Sequence, residues 1–253
     1  VILSVNGQTL HNHHHHNVLQ EGRMMVCDAG AETENYYASD FTRTTPVGGK
    51  FNQRQREIYE IVLAANQAVA ENTRPYIPYM DMHKLACRTL IEGLKGVGLM
   101  KGDTDEALNA GAHYLFMPHG LGHALGMDVH DMEGLGETYV GYDDITPRST
   151  KQGFSGLRCG KTLKPGFVVT DEPGIYFIPT LIDLWKAEGK NKDFINYDKL
   201  ETYKDFGGIR IEDDLLITEN GCRIPGRPIP KTVSEVEDMC AQGREWIKMP
   251  GLY

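Results

Sequence analysis

No stretch of about 18 consecutive apolar residues occurs in this 253-residue chain, so no membrane-spanning helix is expected. Positive charge is also scarce: 26 Lys and Arg against 35 Asp and Glu leave a formal charge of -9, which argues against nucleic acid as a main partner. The five cysteines, Cys27, Cys87, Cys159, Cys222 and Cys240, are odd in number, scattered and without a CxxC pair. They favour free buried thiols in a reducing, cytoplasmic setting over disulfides or a thiolate metal site. No initiator Met, basic n-region or cleavage site precedes the strand-like Val1–Val5, so no signal peptide is expected, and the chain reads as cut from something longer. The tract His13–His16 is short, internal and flanked by Asn12 and Asn17, which favours native sequence over a purification tag.

With 40% hydrophobic and 24% charged residues, the composition is that of a soluble globular protein. Nothing divides the chain, so residues 1–253 read as one domain with strands and helices in succession. Arg23–Asp28 and Tyr36–Thr42 read as two strands of a hairpin on which Asp28 and Asp40 face each other. Apolar residues recur at helical spacing from Asn52 to Asn72, and a second helix runs from a cap at Asp81 to about Lys95. A short helix follows at Thr104–Ala110. Residues 134–164 read as a Gly-rich excursion, Phe167–Thr170 as a strand stopped by Pro173 and Gly174, and 180–206 as a helix-containing insertion. Ile209–Glu212 and Leu215–Thr218 read as a second hairpin-like pair, and a helix at Val233–Gln242 closes the chain. A carboxylate-bearing strand pair on either side of the central helices suggests pseudo-symmetry.

Between the two halves lies Pro118–Asp131, PHGLGHALGMDVHD, which holds His119, His123 and His130 among three glycines. His119 and His123 are four apart, as in an HExxH zinc helix, but Gly120 stands where that signature needs Glu. Glycine also weakens a helix by about 1 kcal/mol each relative to Ala, so the segment is expected to be extended or irregular. Asp inside an apolar strand is costly unless it is hydrogen-bonded or bound to a cation. Two facing aspartates repel, and either a metal or Arg43 could relieve them. Together, Asp28, Asp40, Glu172, Glu212 and one histidine form an oxygen-rich set suited to two divalent cations, manganese above all, with Co2+, Zn2+ or Fe2+ also accommodated. Such a pair would be about 3.5–4 Å apart and would activate a water for amide hydrolysis.

Six motifs in order, Asp28-Ala-Gly, Ala38-Ser-Asp40-Phe-Thr-Arg-Thr, Pro118-His-Gly-Leu-Gly-His123, Asp128-Val-His130-Asp, Thr170-Asp-Glu172-Pro-Gly and Arg210-Ile-Glu212-Asp-Asp, resemble the pita-bread metallopeptidases of the proline dipeptidase and aminopeptidase P group. The resemblance runs from about Leu10 to Val236. It implies an α+β pita-bread fold, a curved antiparallel sheet with flanking helices and a pseudo-two-fold, here without its amino-terminal portion. It implies Asp28 on one metal, His123 and Glu172 on the other, and Asp40 and Glu212 bridging both. It also implies Glu172 as the catalytic proton shuttle, His130 and His119 acting on substrate, His11 lining the pocket, and Arg210 supporting the acidic cluster or the substrate. The expected partners are a proline-containing di- or oligopeptide and a second copy of the chain.

Two departures bear on that reading. Asp28 and Asp40 are one residue further apart than the family pattern, which places an extra residue near Glu34 and Asn35. Asp171 is a more polar neighbour for Glu172 than usual. Arg158, placed like a prolidase arginine that binds a dipeptide's free carboxylate, favours dipeptidase over aminopeptidase P activity. A non-catalytic binding protein of the same fold is the remaining alternative, disfavoured because all five metal ligands are present.

Overall fold

The computed structural model describes residues 1–11 and 14–247. His13 of the histidine tract lies outside the described residues, and His14, His15 and His16 are exposed. Strands β1 (Ile2–Val5), β2 (Met24–Ala29) and β3 (Phe41–Pro46) form an antiparallel sheet in that order. Asp28 stands opposite Thr42, so Asp40, two positions earlier, falls on the same face by the two-residue period. Arg43 stands opposite Cys27 and turns the other way. The second strand begins at Phe41 rather than Tyr36 because the preceding residues close the hairpin: Glu32 bridges Ala38, Tyr36 N donates to Thr33 O, and Tyr36 takes a left-handed φ of 65°. The tip thus spans the two positions where the extra residue was expected.

Helix α1 (Gln53–Asn72) starts at Asn52, whose side chain accepts from Gln55 N while the Gln55 side chain accepts from Asn52 N, satisfying two otherwise orphaned donors. Its periodic stripe, including Ile58, Ile61, Val62, Ala65 and Val69, is buried. Helix α2 (Tyr79–Gly96) is entered from Pro78, earlier than the sequence indicated. Asp81 sits inside its first turn, where a negative charge suits the helix dipole, and pairs with Lys84 at 3.1 Å instead of capping. Helix α3 (Thr104–Asn109) is capped by Asp103 and leads into a 3-10 turn at Ala112–Leu115. The excursion at 134–164 is largely irregular but contains α4 (Glu137–Gly141).

The second half corrects one reading. Strands β4 (Val168–Asp171) and β5 (Gly174–Tyr176) are followed by α5 (Pro179–Ala187) and α6 (Tyr197–Leu200), then by β6 (Gly208–Arg210), β7 (Asp213–Ile217), β8 (Cys222–Arg223) and α7 (Val233–Ile247). Ile209–Glu212 and Leu215–Thr218 do not pair with each other. β6 pairs with β5 and β7 with β4, so they are successive parts of one bent course running back along another. The first course bends at Glu172–Pro173 and the second at Ile211–Glu212, and Ile211 N donates to Pro173 O across the bend. Both glutamates therefore stand at matched breaks in pairing, where a side chain can leave the sheet. The two halves meet at β3: Glu212 N donates to Thr42 O at 3.1 Å, and Thr44 Oγ1 donates to Arg210 O at 2.9 Å.

The histidine stretch runs extended beside β4, as its glycines suggested. Thr170 N donates to His123 O, Glu172 N to Leu121 O and Leu125 N to Val168 O. Glycine is required by closeness here: a Cβ on Gly122 would meet Thr170 O at 2.0 Å, and one on Gly120 would meet Leu157 Cα at 2.5 Å. Gly122→Ala is therefore expected to lower stability by about 1–3 kcal/mol, measured by denaturant unfolding, because backbone rather than a flexible side chain must give way.

Candidate active site

All of the residues singled out from the sequence, Asp28, Asp40, His123, Glu172, Glu212, His119, His130, His11, Arg158 and Arg210, line one cavity of about 840 Å³. At its floor, His123 Nε2 lies 3.5 Å from Asp40 Oδ2 and 3.7 Å from Glu172 Oε1. Donor atoms of Asp40, His123 and Glu212 fall within 4.8 Å of one another, a grouping able to hold a metal ion. His123 Nδ1 donates to Ala124 O at 3.0 Å, which fixes the ring and leaves Nε2 to face the carboxylates. Glu212 is 1% exposed; its Oε2 accepts from Thr42 Oγ1 at 2.5 Å, while its Oε1 has no hydrogen-bond partner. A buried carboxylate oxygen without a partner, facing further carboxylates, is the environment that a divalent cation satisfies.

The electrostatics of the metal-free chain carry the same signature. Burial pushes the Glu212 carboxyl well above its usual range, and the neighbouring Glu172 and Asp40 add to the shift. Burial also raises Glu172 and Asp28, against the opposing pull of His123 and Arg210 on the first and of Arg210 on the second. Asp40 alone is lowered: burial opposes ionisation, but hydrogen bonds with His123 and Asp28 outweigh it. One cation is built in, since Arg210 donates from Nη2 to Asp28 Oδ2 at 2.6 Å, from Nε to Thr42 Oγ1 at 3.0 Å and from Nη1 to the Tyr176 hydroxyl at 3.0 Å.

Around this floor, His119 Nδ1 lies 4.0 Å from Glu172 Oε2, and its Nε2 is 3.1 Å from the Tyr176 hydroxyl. Burial, with Arg210 nearby, pushes its pKa down to about 3, so the ring is neutral. The His130 ring stands edge-on to His123 with centroids 4.4 Å apart. Arg158 Nη1 is 2.7 Å from that ring and 3.5 Å from Glu133 Oε2, at the cavity rim. His11 is exposed at the mouth.

Several contributors escaped the sequence reading. Thr42 and Thr170 each stand two residues from a site carboxylate on the same strand face, with Thr170 Oγ1 donating to Glu172 Oε1 at 3.2 Å. That spacing was visible. Tyr176 carried no such signal. Arg43, considered as a partner for Asp28 and Asp40, pairs instead with Asp213 at 2.6 Å on the far face of the sheet. Asp171 turns to Asn66 on α1 at 3.1 Å, away from the Glu172 carboxylate.

Asp214 was also missed. Its Oδ2 accepts from Asp40 N at 3.2 Å, its Oδ1 is buried without a partner, and burial raises its pKa from 3.8 to about 7. A carboxyl raised in the folded state stabilises below its unfolded value and loses that contribution as pH rises through its folded value. In the chelated chain, Asp214→Asn should thus be neutral near pH 4 and become stabilising by about pH 7, read as the difference between paired melting curves.

The model of metallopeptidase family M24 matches residues 1–219. A human Xaa-Pro dipeptidase is 40% identical over 221 residues, which are 87% of this chain and 43% of the human protein. A probable Xaa-Pro aminopeptidase of Verticillium alfalfae is 40% identical over 91% of this chain and 47% of its own length. Among solved structures, Escherichia coli aminopeptidase P with the inhibitor Pro-Leu superposes with a TM-score of 0.74 at 33% identity, covering 96% of this chain and 47% of that one. The chain therefore spans about half the length of the relatives it matches. No helix among the described residues is long and apolar enough to cross a membrane. With the family model matching most of the chain and the fold agreeing with that of aminopeptidase P, the chain belongs to metallopeptidase family M24.

Proposed function

We propose that this chain supplies the catalytic domain of a dinuclear Xaa-Pro peptidase that favours dipeptides. The observation that carries the proposal is the convergence of four carboxylates and His123 on one cavity floor, with a Glu212 oxygen left unpartnered. Asp28 would hold one cation, His123 and Glu172 the other, and Asp40 and Glu212 both. When bound, the cations would lower the pKa of a water and polarise the scissile carbonyl. Oxygen-rich ligands favour manganese in this role.

The chain's own residues supply the rest. Glu172, set between His123 and His119 at the cavity floor, would take a proton from the attacking water and return it to the leaving imino nitrogen of proline. His119, beside Glu172, and His130, beside His123, are both neutral near pH 7 and would orient the peptide; burial, with His123 and Arg158, lowers His130 to about 4. Arg210 holds Asp28 in place and keeps the floor from carrying uncompensated negative charge. Cysteines without disulfides fit a reducing cytoplasm, and a second copy of the chain is the expected macromolecular partner.

Arg158 carries the choice of substrate. Its guanidinium stands at the rim beside His130, where it would bind the free carboxylate of a dipeptide. Gly-Pro is expected to be cleaved in preference to longer peptides beginning Xaa-Pro. Arg158→Ala should raise KM for Gly-Pro about tenfold or more, as loss of a charged hydrogen bond implies, and leave longer substrates little changed. Efficient trimming of longer peptides by the unaltered chain would assign it to aminopeptidase P activity instead.

A further inference from the structure

A second group of ligand-type side chains is enclosed away from the cavity. His83 and Cys87, one turn apart on α2, are each 0% exposed, and His113 on the 3-10 turn is 1% exposed. Ligand atoms of the three lie within 4.8 Å of one another. Cys87 Sγ is 3.8 Å from His83 Nδ1 and 3.7 Å from its Nε2. A tetrahedral zinc, with bonds of about 2.0–2.1 Å to nitrogen and 2.3 Å to sulfur, separates those donors by about 3.5 Å, so little movement is needed. Both Nε2 atoms approach one acceptor, Gly153 O, at 2.7 and 3.1 Å, and His113 Nδ1 has no partner. Histidines that donate one ring N–H to a main-chain carbonyl and keep the other nitrogen for an ion are the usual arrangement at metal sites.

We propose that His83, Cys87 and His113 bind a structural divalent ion of the zinc class, separate from the carboxylate cavity. A thiol with two imidazoles selects a softer ion than the oxygen-rich cavity does, so one chain sorts two kinds of metal. Binding forms the Cys87 sulfur–metal bond and releases the thiol proton to solvent. The ion ties α2 and the 3-10 turn to the loop at Gly153, a position held at φ 89°, where a Cβ would meet His113 Nε2 at 2.5 Å. A few residues further on, that loop packs Leu157 against Gly120 and carries Arg158 to the cavity rim, so the clamp braces the pocket wall from behind. Sequence spacing hides the group, because its third member comes from a later element.

The test uses cobalt, whose bond to a thiolate gives a near-ultraviolet charge-transfer band that carboxylate and imidazole ligands do not. The metal-free full chain titrated with Co2+ should develop this band to about one equivalent per chain. Zinc should displace it, and Cys87→Ser and His113→Gln should abolish or sharply weaken it. His123→Ala, which removes one ligand from the carboxylate cavity and none from this group, should keep it, so failure of the peptidase reading would be seen separately. Absence of the band at saturating cobalt, or a band unchanged in folded Cys87→Ser, overturns the proposal.

Discussion

Glu172→Gln is expected to lower turnover of Gly-Pro by a factor of about 10²–10⁴, the range that general acid–base catalysis contributes. Gln keeps the length of the side chain and an oxygen for Thr170 Oγ1, which donates to Glu172 Oε1 at 3.2 Å. What it removes is the ability to hold a proton and the negative charge that Glu172 would offer a cation, so the comparison is made at equal metal content. Burial raises the Glu172 carboxyl, against the pull of His123 and Arg210, and under the proposed mechanism this side chain carries the proton between water and leaving group. Single-turnover and steady-state rates at matched metal occupancy measure the effect. Activity retained within a factor of a few would take the proton-carrying role away from Glu172.

Glu212→Gln has the other large effect, and it has two parts of opposite sign. Metal affinity should fall by more than the 10–100-fold typical of losing an outer supporting partner, roughly, because an anionic ligand is removed directly. The metal-free chain should become more stable, because a buried carboxyl crowded by Glu172 and Asp40 is replaced by a neutral group that can still accept from Thr42 Oγ1. Calorimetric titration and unfolding of the chelated chain read the two parts independently. A purely structural Glu212 would lower stability in both states.

Much of this site was legible because strand alternation and special residues act locally. Asp28 and Asp40 share a face since a hairpin with period-two side chains puts them there, and Pro173 announces the break that releases Glu172. The glycines of Pro118–His123 foretold an extended backbone passing within contact of β4. Long-range pairing was not legible. Nothing between Ile209 and Thr218 distinguishes a hairpin from one bent course, because the choice is made by β4 and β5, some 40 residues earlier. The fate of Arg43 depended in the same way on Asp213, a residue it meets only after the two halves close. Tyr176 reads as an ordinary apolar strand residue until Arg210 and His119 are seen at its hydroxyl.

The carboxylates and His123 on one cavity floor are expected to bind the catalytic cations. Titrating the chelated chain with Mn2+, while metal bound and Gly-Pro hydrolysis are followed in the same samples, tests it most directly. About two ions per chain are expected in the cavity, with hydrolysis that rises with their occupancy and both lost in Glu212→Gln. Hydrolysis of Gly-Pro by a chain holding no divalent ion, or manganese binding unchanged by Glu212→Gln, would contradict it.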